Sequence, residues 1–233
     1  MILYYVRHGD PIYEPDSLTP LGQRQAEAVG RRLGTRGLNR IYASSSNRAI
    51  LTATPASEIT QKPIEILDWC NEQYTARSMM DIDPKTGTYT WCFNIDHHRR
   101  LFNRADVRAL GMQWYRHEAF AALPFEKEVL RVEREADAFL LSLGYRHDRE
   151  SCLYEPIAPT NERIALFAHQ GFGLLFLSVL LDIPYPLLCT HTDITRSSVS
   201  VIEFIPRDGI VIPRMISMSN EGHLYKENLP TFI

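Results

Sequence analysis

Short apolar runs alternate with amphipathic segments along most of the chain. Ile2 to Val6 is a run of β-branched and aromatic residues, which predicts a buried strand. A turn-rich stretch follows, and then Thr19 is a good helix cap with Pro20 at the first helical position. The helix is predicted to continue, with one apolar face, to about Gly34.

The same alternation continues down the chain. A second strand is predicted at 41–43, a helix at 47–59 and a third strand at 63–67. Further elements are a helix at 126–143, a strand at 163–168 followed by a buried helix, and two closing strands at 198–204 and 210–217. Consecutive strand–helix–strand units predict an α/β fold with a mostly parallel central sheet and helices on both of its faces.

Residues 73–125 do not follow this pattern. They mix aromatic and charged residues without a clean succession of strands and helices. Long excursions from a compact fold are often lids or binding elements. The chain is therefore predicted to be one domain over residues 1–233, with an inserted cap at about 73–125.

Composition restricts the function classes. A net charge of −3 provides no global field for nucleic acid or acidic membranes, so neither is expected as a partner. We find no signal peptide and no apolar stretch of spanning length, and the four cysteines are scattered, which together favour the cytoplasm. A homo-oligomer is compatible with the sequence.

Basic and imidazole side chains follow the predicted strand ends in three segments. They are Arg7-His8-Gly9, the 44–49 segment with Arg48, and His169 after the strand at 163–168. Ligands of parallel sheets bind beyond the carboxyl ends of the strands. Arginine offers a fork of donors matched to phosphate, and neutral imidazole is a nucleophile at neutral pH. These residues therefore indicate phosphoryl transfer.

These segments also resemble a known family. Arg7-His8-Gly9, the Leu-Thr-Pro-Leu-Gly run at 18–22, Ser45-Ser46 with Arg48, and His169 together resemble the histidine phosphatase superfamily, whose members are phosphoglycerate-mutase-like. The resemblance implies a three-layer α/β sandwich with a mostly parallel central sheet. It implies that His8 is the phosphorylated nucleophile and that Arg7, Arg48 and His169 complete the phosphate pocket.

The general acid is assigned from the same resemblance. In this family it lies shortly after the third strand, and here the sequence reads Leu-Asp-Trp-Cys-Asn-Glu over 67–72. We assign Glu72, because the loop should reach back over the pocket there, and keep Asp68 as the alternative. The expected catalytic set is therefore His8, Glu72 and His169.

Three functions are compatible with these residues. The first is a phosphohydrolase acting on a small phosphorylated metabolite through a phosphohistidine, without cofactor or metal, because the arginines and imidazoles supply the positive charge. The second is a phosphomutase, which is less favoured because residues 10–17 lack the Asn and Trp of the mutases. The third is a phosphate-binding module without turnover.

Two further basic features are left open. The run His97-His98-Arg99-Arg100 in the insertion is either a solvated helix face or a second anion contact for the substrate. Arg196, in the 193–198 loop, is a candidate to approach the pocket.

Overall fold

A computed structural model describes residues 1–231. Within this range the strands are β1 Ile2–Arg7, β2 Pro11–Ile12, β3 Ser17–Leu18, β4 Arg40–Ser44, β5 Ile64–Leu67, β6 Met80–Ile82, β7 Tyr89–Trp91, β8 Tyr145–Asp148, β9 Leu153–Pro156, β10 Arg163–Ala168, β11 Val199–Glu203 and β12 Arg214–Asn220.

The helices of the same range are α1 Pro20–Gly34, α2 Asn47–Thr60, α3 Glu72–Met79, α4 Asp96–Phe102, α5 Ala105–Ala109, α6 Phe125–Ser142, α7 Gln170–Leu181, α8 Tyr185–His191 and α9 Gly222–Lys226. Short 3-10 turns occur at Asp68–Cys70, Cys92–Asn94, Gly111–Arg116 and Glu118–Phe120. None of these helices is both long enough and apolar enough to cross a membrane.

The central sheet has six strands in the order β12-β11-β1-β10-β4-β5. The four neighbouring strands β1, β10, β4 and β5 run parallel to one another. β11 is antiparallel to both of its neighbours, β1 and β12. The predicted α/β fold with a mostly parallel central sheet is therefore confirmed. The second closing strand begins later than the predicted Ile210, because Ile210 and Val211 make only isolated bridges and β12 begins at Arg214.

The sheet lies between two layers of helices. Alternate residues of β1 point to opposite faces, so Leu3 and Tyr5 join one buried cluster while Tyr4 and Val6 join another. The first cluster includes apolar residues of α6 and α7 as well as the aromatic residues of the 92–125 region. The second includes apolar residues of α1 and α2. This is the three-layer sandwich that the resemblance implies.

The 73–125 segment has structure of its own. It contains most of α3, a β6–β7 hairpin, the two short helices α4 and α5, and three of the 3-10 turns. Trp91, at the end of the hairpin, lies so close to Gly171 of α7 that a Cβ there would come within 2.2 Å of the indole ring. The segment therefore packs directly on the start of α7.

The turn after β1 is held by backbone packing against the start of α1. Thr19 caps α1 by accepting a hydrogen bond from the Gly22 amide at 3.0 Å, as the sequence predicts. Glycine is required at position 22, since a Cβ there would lie 2.2 Å from the carbonyl oxygen of Asp10. The first helical turn of α1 and the residues after His8 are thus fitted closely to each other.

We expect Gly22→Ala to destabilise the protein, although helix propensity alone would favour alanine by about 1 kcal/mol. Overpacking against backbone costs about 1–3 kcal/mol, and the contact with Asp10 leaves no side chain that could yield. Thermal denaturation should show a lower midpoint, by about 2–4 °C for each kcal/mol of net destabilisation. The exposed neighbour Gln23, substituted by alanine, is the control and should leave the midpoint unchanged. An equal or higher midpoint for Gly22→Ala would contradict this packing argument.

Candidate active site

The two histidines of the candidate site leave the sheet side by side. β1 and β10 are parallel neighbours with Arg7 opposite Ala168, so the residues that follow them emerge together. The amide of His8 donates to the carbonyl oxygen of Ala168 at 2.9 Å. The imidazole rings of His8 and His169 have centroids 5.2 Å apart. The strand-end argument made from the sequence thus brings these two residues to one place.

His8 is buried as a neutral imidazole with one free nitrogen. Its Nδ1 lies 2.7 Å from the carbonyl oxygen of Gly9, and because a carbonyl only accepts, Nδ1 carries the hydrogen. The lone pair is therefore on Nε2. Burial, with the positive charge of Arg7 and Arg48 nearby, lowers the pKa of His8 to about 3. The ring is accordingly uncharged and nucleophilic at neutral pH.

The backbone around His8 is fixed from two further sides. The Gly9 amide donates to Oγ1 of Thr52 at 3.0 Å, and that hydroxyl donates to the carbonyl oxygen of Arg48 at 2.7 Å. The amide of Ser197 donates to the carbonyl oxygen of His8 at 3.0 Å. Such support limits the freedom of the imidazole before any substrate binds.

Arg7 and Arg48 carry buried donors that have no partner within residues 1–231. Arg7 donates through Nη1 to the carbonyl oxygen of Ile194 at 2.6 Å, and Arg48 through Nη1 to Asp16 at 2.8 Å. The Nε atom of each arginine is buried and makes no hydrogen bond. An unsatisfied buried donor costs about 1–3 kcal/mol, so an anion that accepts from these groups is strongly favoured.

His169 is oriented by hydroxyl groups and by the neighbouring arginine. Its Nε2 lies 2.8 Å from Oγ of Ser44 and 3.0 Å from Oγ of Ser46, and its Nδ1 lies 3.2 Å from Nη2 of Arg48. A guanidinium only donates, so Nδ1 accepts and Nε2 carries the hydrogen. Burial, with the neighbouring His8 and the arginine charges, lowers the pKa of His169.

Tyr5 fixes the backbone of the same residue. Its hydroxyl donates to the carbonyl oxygen of His169 at 2.6 Å and accepts from the His169 amide at 3.2 Å. Tyr5 lies inside β1 and was not singled out from the sequence, where nothing distinguishes it from the other apolar residues of that strand. Ser44, Ser46 and Thr52 did lie in a motif segment, but their roles become apparent only in three dimensions.

Glu72 lies in this cluster and Asp68 does not. The Glu72 carboxylate accepts from the Gly171 amide at 2.8 Å through Oε1, and its Oε2 lies 3.5 Å from Arg48 and 3.7 Å from His169. Burial raises the pKa of Glu72, and the Gly171 amide and the arginines offset this only in part. A carboxyl with a raised pKa is suited to donate a proton.

Asp68 has a different environment. It is exposed and accepts hydrogen bonds from Ser45 at 2.5 Å and from Tyr74 at 2.7 Å, which lower the pKa of its carboxyl. It therefore lacks both the position and the protonation behaviour that an acid needs.

His8, Glu72 and His169 also form a set of potential metal ligands. One ligand atom from each lies within 4.8 Å of the others. Arg7 and Arg48 lie beside this group, and their charges disfavour a cation and favour an anion. The donor set is therefore better matched to a phosphate than to a metal ion.

Two residues of the basic run at 97–100, His98 and Arg99, make contacts with other parts of the fold. It lies in α4, where the buried His98 contacts Asp81 at 2.9 Å. Arg99 donates to the carbonyl oxygens of Phe93 and Thr190 at 2.9 and 3.2 Å. These contacts favour a structural role for the run over a substrate contact. Arg196 pairs with Asp10, two residues after His8, and so does approach the site.

Comparison with known proteins gives a family resemblance over part of the chain and a shared fold over nearly all of it. Residues 3–90 match the model of the histidine phosphatase superfamily, branch 1. No curated protein matches the chain significantly. Because the match covers only the first part of the chain, the solved structures provide the comparison for the rest.

Three solved structures share the fold over nearly the whole chain. A mycobacterial glucosyl-3-phosphoglycerate phosphatase with inorganic phosphate is 18% identical, with a TM-score of 0.60, covering 95% of this chain and 98% of its own. A phosphoserine phosphatase from Entamoeba histolytica with 3-phosphoglyceric acid is 17% identical, with a TM-score of 0.57, covering 96% and 98%. A putative α-ribazole-5′-P phosphatase from Escherichia coli is 19% identical, with a TM-score of 0.58, covering 94% and 97%.

These findings confirm the resemblance that the motifs indicate. The family model covers Arg7, His8, Arg48 and Glu72, and the shared fold extends to the strand that leads to His169. Residues 3–90 resemble the histidine phosphatase superfamily in sequence, and nearly the whole chain shares its fold with the three solved structures.

Proposed function

We propose that the protein is a phosphomonoesterase of the histidine phosphatase type, which hydrolyses a small phosphorylated metabolite through a phosphohistidine on His8. The observation that carries the proposal is a neutral, buried His8 with its Nε2 lone pair free, beside two arginines whose buried Nε donors lack a partner within residues 1–231. The three similar structures are described as phosphatases of small phosphate esters, which supports the same class of substrate.

In the first step the phosphoryl group sits beside His169 and between Arg7 and Arg48, whose positive charges neutralise its oxygens. Nε2 of His8 attacks phosphorus, and the bond to the ester oxygen breaks. Protonated Glu72 gives its proton to that oxygen, so the alcohol leaves neutral. The enzyme then holds a phosphohistidine and a Glu72 carboxylate.

In the second step water attacks the phosphohistidine. The Glu72 carboxylate takes a proton from the water as the new P–O bond forms, and the P–N bond breaks. Inorganic phosphate leaves, and His8 and Glu72 return to their starting protonation states. The arginines provide the positive charge throughout, so we propose that neither a metal nor a cofactor is needed.

We propose that the 73–125 segment covers the site and restricts it to small substrates. Trp91 packs on Gly171, directly after His169 and Gln170, and Tyr13 lies over the Arg48 guanidinium at 5.4 Å. Aromatic side chains on these two sides leave a confined entrance rather than an open face suited to phosphoproteins. We keep the cytoplasm as the proposed compartment, since the four cysteines are free thiols.

A phosphatase is favoured over a mutase by the segment after His8. The chain turns there in a minimal β2–β3 hairpin and enters α1 at Pro20, so it offers little surface to hold an intermediate for transfer to a second hydroxyl. A binding module without turnover is disfavoured because Glu72, which contacts Arg48 and His169, is available as an acid.

We expect His8→Ala to abolish release of phosphate from p-nitrophenyl phosphate, with a loss of at least about 10³-fold, because the nucleophile is removed. The assay is run with chelator present, and wild-type activity should survive it. His97→Ala, an exposed histidine of α4, is the matched control and should retain full activity. Denaturation curves should show that His8→Ala is folded.

Different outcomes of that assay separate the functions. Activity in His8→Ala would disprove the phosphohistidine. If the wild-type enzyme takes up the radioactive phosphoryl group of a labelled substrate on His8 but releases no phosphate, it would be a mutase or transferase. A folded wild type that neither labels nor releases phosphate would be a binding module.

We expect Glu72→Gln to slow hydrolysis most when the leaving group is poor. Loss of a general acid costs about 10²–10⁴-fold, and an alkyl alkoxide needs the proton far more than p-nitrophenolate does. Rates are compared for glycerol phosphate and p-nitrophenyl phosphate. Asp68→Asn is the matched control and should behave as wild type with both. If the dependence on leaving group appears in Asp68→Asn instead, Glu72 is not the acid.

We expect kcat/KM to fall as the pH rises through the raised pKa of Glu72. A general acid works when protonated, so its contribution is present below its pKa and lost above it. His8, with a pKa of about 3, stays neutral and causes no loss of activity between pH 5 and 8. The ionisation of the substrate affects wild type and Glu72→Gln alike, so the difference between their profiles isolates Glu72. An alkaline limb unchanged in Glu72→Gln would rule out this assignment.

A further inference from the structure

A second charged cavity lies on another part of the molecule. It has a volume of about 680 Å³ and is formed by the C-terminal half of α1, the end of α2, and the segment from Asn220 to Glu227. This volume falls within the range of small-molecule sites, about 300–1,000 Å³. Its walls come from parts of the chain that are nearly 200 residues apart in sequence.

Positive charge predominates in its lining. Arg31, Arg32, Arg36 and Lys226 line the cavity together with one carboxylate, Glu227. Glu227 is engaged by Arg31 at 3.1 Å, and Arg31 also lies 3.8 Å from Glu27. Within residues 1–231, no carboxylate lies within 4.0 Å of the other three basic side chains. Three cations of the cavity, Arg32, Arg36 and Lys226, therefore have no acidic partner within residues 1–231.

Arg32 is half-buried and has only neutral partners. It donates to the carbonyl oxygen of Asn220 at 2.9 Å and to Nδ1 of His223 at 3.1 Å. Burial and the neighbouring Arg36 lower the pKa of Arg32, because both disfavour its charged form. The negative end of the α1 dipole favours arginines in its last turn, but it does not explain why Lys226, from α9, converges on the same space.

The cavity also offers an apolar contact. Ile59, at the end of α2, is 49% exposed and lines the cavity beside Gly34. A ligand with more than one anionic group could contact several of these cations at once, and an apolar body could cover Ile59. We propose that this cavity, the α1–α9 cavity, binds a small organic di- or triphosphate, such as a nucleotide.

The α1–α9 cavity is separate from the site around His8. Arg32 lies twelve residues beyond Pro20 on α1, about 18 Å along the helix axis. A chain of contacts nevertheless connects them: His223 contacts Oγ of Ser197 at 3.2 Å, and the Ser197 amide holds the carbonyl oxygen of His8. None of the residues that line the cavity belongs to the candidate active site. Ligand binding to the cavity can therefore be tested independently of phosphatase activity.

The test is calorimetric titration with the non-hydrolysable β,γ-imido analogue of ATP, in the presence of chelator. Wild type is compared with Arg36→Ala/Lys226→Ala, in which two exposed cavity residues are lost, and with Arg48→Ala in the candidate active site. We expect a binding site that persists in Arg48→Ala and is weakened at least about tenfold in the double variant. Arg24→Ala, which removes one exposed arginine of α1 outside the cavity, is the control for loss of surface charge and should bind as wild type does.

Several results would overturn the proposal. Binding that is lost in Arg48→Ala and kept in the double variant would place the ligand at the active site alone. An equal loss in Arg24→Ala would indicate a general charge effect. Absence of binding to wild type up to about 1 mM would exclude a nucleotide as ligand. Pyrophosphate binding as tightly as the analogue would exclude a contribution from the organic part.

Discussion

The candidate active site depends on two buried arginines placed beside two uncharged imidazoles. Arg7 and Arg48 keep their charge, while burial and that same charge hold His8 and His169 neutral. Each arginine has a buried Nε donor without a partner in the described chain, and a buried donor without an acceptor costs free energy. Under the proposed function, a dianionic phosphoryl group accepts hydrogen bonds from the arginines and lies beside the neutral imidazole of His8.

The fold maintains this arrangement through its backbone. The parallel strands β1 and β10 end at the same edge, and Tyr5, Thr52 and Ser197 hold the adjoining backbone by hydrogen bonds. Most of these groups are buried, so the site is organised before a ligand arrives. Under the proposed function, such preorganisation concentrates positive charge where phosphoryl transfer requires it.

The sequence predicts the candidate site better than it predicts its surroundings. Arg7, His8 and His169 could be placed together because residues that follow parallel strands meet at one edge of a sheet. The 73–125 segment and the β8–β9 hairpin could not be derived, because their structure depends on long-range packing rather than on a local period. The α1–α9 cavity joins Arg36 and Lys226, and no local pattern indicates that pairing. Tyr5 was missed for the same reason, since its role depends on a partner 164 residues away.

The Glu72 carboxylate lies at the amino end of α7, where it accepts a hydrogen bond from the amide of Gly171. Helix amino ends stabilise negative charge, whereas burial disfavours it, so the acidity of Glu72 is a balance between α7 and the surrounding low dielectric. α7 is almost wholly buried and apolar, so close packing holds its amino end in a fixed position beside the Glu72 carboxylate. Substitutions in the core that displace α7 by a fraction of an ångström would therefore shift the pKa of Glu72. Under the proposed function, they would do so without altering any residue that touches substrate. The packing of the hydrophobic interior thus helps to set the pKa of Glu72.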